Sequence, residues 1–232
     1  AAVALGLLAV ASPLDALAEE KLLSAHMLQH VLIADLVPAL ALVALRGPLL
    51  YLAFPRPLLR ALAQVGPLRE GMSTLARPGP AFACWGAAIG AWHLPAAYEA
   101  ALRHPLLHQL EHVTFLLGGL LVWWQLLDPA RRQALSPLAR LGYAIVLLGA
   151  GGALVNVLVF SGPLYPAYAQ LPARPLGLSA ARDQELAGLV MLVEQWLTVG
   201  VYVGVMVSAW PRGLLFPGSG EARTVERHPF AL

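Results

Sequence analysis

H-P-L-L-H-Q-L-E-H-V-T-F-L-L-G-G-L-L-V-W-W-Q-L-L, His104 to Leu127, is the stretch from which the fold follows. It opens with three imidazoles four residues apart, His104, His108 and His112, which on a helix climb one face over two turns with Glu111 beside them. From Val113 to Trp124 almost every residue is apolar, and the whole has the length and composition of a helix that crosses a bilayer. Ionisable side chains in such a span are costly and normally face the bundle interior, so this polar head is a candidate functional site.

The composition around it points the same way. A chain of 232 residues that is 59% hydrophobic and 12% charged, with a mean hydropathy of +0.68, reads as an integral membrane protein and not as a soluble domain. Apolar runs of about 20 residues separated by Arg- and Pro-bearing loops indicate an all-α, polytopic helical bundle; a barrel would alternate over about ten residues. The net charge of +2 has no basic cluster, so no nucleic-acid partner is expected. One cysteine, Cys84, excludes an internal disulfide and any C-x-x-C motif.

Six spans are expected, within one transmembrane domain over 1–210 and a cytoplasmic tail over 211–232. Ala1 to Leu17 reads as the first, in preference to a signal peptide, because no basic segment precedes it. The second runs from about Leu22 to Leu45, carrying H-M-L-Q-H at its start and Asp35 and Pro38 deeper in; Pro38 is expected to kink it. Arg46 to Pro80 reads as a loop with an interfacial segment at Leu49 to Phe54. The third span, about Ala81 to Trp92, closes at W-H-L-P with His93 at the helix end, and Cys84 is expected in its core. After the fourth, the fifth runs from about Leu138 to Phe160 and includes Asn156, and the sixth from Asp183 through Glu194 to Trp210. Trp123, Trp124, Trp196 and Trp210 read as packing or interfacial residues.

Cytoplasmic loops carry the excess of Lys and Arg. Eleven fall in Arg46 to Arg77, Arg131 to Arg140 and the tail, against Lys21, Arg103, Arg174 and Arg182 on the other side. Both termini are then cytoplasmic, and six of the seven histidines lie in one layer towards the outer face, His228 being the exception. His26 and His30 are one turn apart, about 6 Å along the axis and about 40° around it. With His108 and His112 they offer four imidazole nitrogens, sufficient for zinc or copper. Met27, Glu111, Asp183 and Met191 are further ligand candidates, with Glu111 or Asp183 expected to orient the outer ring nitrogens, and His93 and His104 form a shallower set. Asp35 is about 180° around the helix from His26 and is expected to pair elsewhere. No catalytic triad order, phosphate-binding loop or nucleophile elbow is present, so no enzymatic activity is expected. The alternative is a haem-b electron carrier with axial histidines, Gly86, Gly90, Gly118 and Gly119 making room for the ring.

H-M-L-Q-H, W-H-L-P, H-Q-L-E-H with the following F-L-L-G-G-L-L-V-W-W, and D-Q-E-L-A-G-L-V-M, in this order, resemble the CtaG family of cytochrome c oxidase assembly factors over roughly Leu14 to Trp210. The resemblance implies a multi-pass protein of the bacterial inner membrane that helps mature a haem-copper oxidase. It also implies that copper is the metal, and that the partner is the oxidase subunit carrying the buried copper site; a second copy of the chain is a further candidate partner. The family is commonly drawn with seven spans against the six counted here, so either a span precedes Ala1 or this member is short.

Overall fold

The structure, a computed structural model, describes residues 1–45, 57, 60, 64–130 and 134–209. The proposed interfacial segment, Arg131 and the tail lie outside them. Every regular element among the described residues is helical. In chain order these are α1 (Ala2–Val10), α2 (Pro13–Glu20), α3 (Leu23–Ala44), α4 (Gly66–Leu75), α5 (Pro78–Trp92), α6 (Pro95–Arg103), α7 (Pro105–Leu127), α8 (Pro137–Phe160), α9 (Pro166–Ala169) and α10 (Ala180–Ser208). Many of the prolines that punctuate the sequence sit in first helical turns, at Pro13, Pro78, Pro95, Pro105, Pro137 and Pro166. There their missing N–H removes no hydrogen bond. Ser12, Ser136 and Ser179 add side-chain caps to α2, α8 and α10.

Four helices are long and apolar enough to cross a membrane: α3, α7, α8 and α10, of 22, 23, 24 and 29 residues. They correspond to the second, fourth, fifth and sixth expected spans. The first expected span is broken, because Ser12 ends one helix through its bond to Leu8 O and caps the next, whose first residue is Pro13. The third is α5, 15 residues and about 22 Å long, shorter than a bilayer core. α4, within the stretch from Arg46 to Pro80 that is expected to be loop, is an exposed amphipathic helix.

α7 lies between α5 and α3, and α10 packs on both α3 and α8. α3 contains a π turn at Leu32–Leu36, immediately before Pro38. The proline cannot donate to the carbonyl one turn back, and the helix absorbs the defect by widening. α7 seats its backbone on that spot. A Cβ at Gly119 would lie 1.9 Å from Ala34 O, and one at Gly118 would lie 3.2 Å from the Cα of Trp85. These glycines bring three helices together and do not open a slot for a porphyrin. Gly86 and Gly90 have open space beside them. Cys84 is exposed, contrary to expectation; Asn156 is exposed too, and its amide donates to Gly152 O in its own helix.

Candidate metal centre

The first two turns of α3 carry His26 and His30, and the first two turns of α7 carry His108 and His112. Because α3 and α7 are neighbours, the two stripes meet, and one ligand atom from each of the four rings lies within 4.8 Å of every other. Nε2 of His26 and Nε2 of His108 are 3.3 Å apart. Nitrogens about 2.0–2.1 Å from a shared metal stand about 3.3 Å apart when the geometry is tetrahedral, so this pair already spans one edge of such a site. His26, His30 and His108 are buried and His112 half-buried.

The polar atoms around this point lack partners. Both ring nitrogens of His30, Nε2 of His112, Nε2 of His93 and both carboxylate oxygens of Glu111 are buried without a hydrogen bond among the described residues. Glu111, 1% exposed, holds Oε1 3.7 Å from His30 Nε2, beyond hydrogen-bonding range. Each buried unsatisfied group costs about 1–3 kcal/mol, and here they belong to the four-ring group and to the side chains beside it. Four imidazoles with a carboxylate beside them suit zinc or copper.

The other expected ligands are distributed around this group. His93 is buried, its ring centroid 6.4 Å from that of His30, and its Nδ1–H donates to Ile89 O at 2.8 Å. Burial lowers its pKa to about 4, so the ring is neutral and Nε2 carries the lone pair. His104 is not on the α7 face; its backbone is extended at the N-cap and its side chain is exposed, because Pro105 starts the helix after it. Met27 and Met191 pack into an apolar core with Leu23, Tyr98 and Leu158. Asp183 has a different task from the one expected. Its carboxylate accepts from Leu23 N at 2.8 Å, Ser24 N at 3.1 Å and Ser24 Oγ at 2.6 Å, capping α3 from another helix.

Three tyrosines that nothing in the sequence marks as site residues enclose the centre. Tyr98 has its ring centroid 5.2 Å from that of His26 and 4.2 Å from that of Tyr165. Tyr165 donates to His93 O at 3.0 Å. Burial pushes the phenols of Tyr98 and Tyr165 up, keeping their protons on. Tyr168 places its hydroxyl 2.7 Å from His26 Nδ1 and 2.6 Å from Ala18 O. Aromatic residues in polar loops read as packing, and only the folded chain brings these to the histidines.

A second polar group lies deeper, about 13 Å along α3 from His26. Asp35 does pair elsewhere. It accepts from Trp123 Nε1 and, at 3.0 Å, from Thr198 Oγ1, the threonine lying in a π turn of α10 at Trp196–Gly200. Asp35, Glu194 and Gln195 line a cavity of about 70 Å³. Trp123, read as a packing residue, is thus also a hydrogen-bond donor.

The model of the cytochrome c oxidase caa3 assembly factor family matches residues 1–213. The chain belongs to this family. Neither the comparison with curated proteins nor that with solved structures returned a match. Family membership agrees with the four membrane-length helices and joins the histidine centre to an oxidase assembly factor.

Proposed function

We propose that this caa3 assembly factor holds a copper ion between His26, His30, His108 and His112 and passes it to the oxidase subunit that carries the buried copper. The observation that carries this reading is the approach of one ligand atom from each of the four rings to within 4.8 Å of the others, with unpartnered nitrogens on His30 and His112 and an unpartnered Glu111 carboxylate beside them. A cation there would take one nitrogen from each ring and stand beside the Glu111 carboxylate, groups that the side-chain hydrogen bonds among the described residues leave unmet. Neutral imidazoles accept zinc as well as copper, and the choice of copper rests on the family. The role is that of a carrier in the bacterial inner membrane and not of an enzyme, with the centre towards the outer face.

The test is elemental analysis of full-length protein purified in detergent without chelator. Copper near one equivalent per chain is expected. His108→Ala or His112→Ala should lose it while the protein still inserts, since insertion depends on the apolar spans. His228→Ala should retain it. Full occupancy in His108→Ala overturns the centre, and a strong Soret absorbance in the parent protein supports the haem alternative.

A further inference from the structure

We infer that Tyr168 is a positioning residue: its hydroxyl locks His26 in the tautomer that carries the proton on Nδ1, so that Nε2 is the atom offered to an incoming metal ion. A phenol has one O–H; besides the Tyr98 hydroxyl, which can donate its own proton to the Tyr168 oxygen, two acceptor positions compete for it here, Ala18 O at 2.6 Å and His26 Nδ1 at 2.7 Å. The carbonyl decides between them. Ala18 lies in the last turn of α2, where carbonyls run out of helical partners. Leu22 N, the donor one turn ahead, is diverted to Leu17 O, as is Lys21 N. A carbonyl can only accept, so the phenol proton goes to Ala18 O, and His26 must then donate through an Nδ1–H.

A neutral imidazole has one N–H, so Nε2 of His26 holds the lone pair, and it is this atom that faces His108 Nε2 at 3.3 Å. The reverse arrangement sends the phenol proton to Nδ1. It leaves the Ala18 carbonyl without the phenol's proton and puts a hydrogen on His26 Nε2, on the line to His108 Nε2, where it would block that nitrogen as a ligand. Outer partners of this kind set the tautomer and ring orientation of metal-binding histidines. The residues expected in that role, Glu111 and Asp183, do not touch Nδ1 of His26.

The phenol is held for the task. The Arg174 guanidinium donates to Tyr168 O, Ala167 N donates to Glu99 Oε1 at 2.8 Å, and Tyr168 N bonds to Tyr165 O at 3.1 Å. The short helix α9 is thereby pinned to α6, and Tyr168 joins the α8–α10 connection to the carbonyl end of α2 and to the first turns of α3.

The assignment rests on the metal reading only for what Nε2 receives; the tautomer stands independently of it. The test uses full-length protein with 15N-labelled histidine in detergent micelles, His26 resonances being assigned by their loss in His26→Ala. Long-range 1H–15N correlation should give protonated Nδ1 and bare Nε2 for His26 in the metal-free parent. In Tyr168→Phe that pattern should give way to a mixture of tautomers or to the Nε2–H form. Co(II) titration should then find affinity reduced about 10- to 100-fold, against complete loss in His26→Ala. An Nε2–H tautomer in the parent, or a Tyr168→Phe protein with parental tautomer and affinity, overturns the assignment. A parent protein with the Nδ1–H tautomer that binds no Co(II) upholds the tautomer and defeats the metal centre instead.

Discussion

Asp183 bridges two helices with one carboxylate. It sits in the first turn of α10 and satisfies two backbone N–H groups and a hydroxyl at the start of α3, one turn before His26. Asp183→Ala strands both N–H groups, so stability should fall by about 1–3 kcal/mol. Asp183→Asn, which keeps one carbonyl acceptor, should fall between Ala and the parent. Thermal unfolding of the three proteins in one detergent measures this, and an unchanged melting temperature in Asp183→Ala would remove the cap from the account. The sequence marks Asp183 as important because a carboxylate in an apolar chain is expensive. It does not disclose its task, since ligation and capping call for the same side chain. The histidines are more legible. Two H-x-x-x-H pairs can only present stripes, and once α3 and α7 are neighbours the stripes have to meet. The tyrosines were not legible, because nothing in the P-L-Y-P-A-Y-A run indicates which helix its hydroxyls will reach.

At the scale of the element, the site depends on how closely α7 approaches α3. Gly119 makes that approach possible: a methyl there would lie 1.9 Å from Ala34 O and 2.9 Å from Cγ of Pro38. Gly119→Ala should therefore push the helices apart, lower stability by about 1–3 kcal/mol and weaken metal binding by separating the two histidine stripes. Gly86→Ala, in α5 with open space around it, is the matched control. There the usual preference of a helix for alanine should apply, a gain of about 0.5–1 kcal/mol. Melting temperatures and metal titrations of the two variants should thus move in opposite senses or, for Gly86→Ala, not fall at all. Span positions and most helix ends were legible from apolar length and proline. The π turn was not: Pro38 announced a defect, but whether a helix answers by kinking or by widening depends on the neighbour seated against it, here α7. The break at Ser12 and Pro13 carried a legible signal, a capping residue followed by a first-turn proline, which the continuous apolar run around it obscured.

On the scale of the whole molecule, hydrogen bonds between helix ends define two poles. At one, Asp183 reaches Leu23, Tyr165 reaches His93 and His26 faces His108. At the other, Tyr143 reaches Pro78 O, Gln125 reaches Ala76 O and Tyr202 reaches Leu126 O. Lys21, Arg103, Arg174 and Arg182 flank the histidine pole, while Arg69, Arg77 and Arg140 belong to elements at the opposite pole, and in the sequence the segments joined to those elements add Arg46, Arg56, Arg60, Arg131 and Arg132, eight against four. An excess of basic residues stays in the cytoplasm, so the histidine pole should face outwards, the side on which metal from outside the cell arrives. Labelling tests this on positions the structure describes. In a Cys84→Ser background, needed because Cys84 is exposed, a cysteine replacing Arg103 should react in intact cells with a membrane-impermeant maleimide. A cysteine replacing Arg69, exposed on α4, should react only after the membrane is opened. The converse pattern would turn the four imidazoles towards the cytoplasm. The metal would then have to enter from the cytoplasm, and the tyrosines that enclose the centre would close it from that side.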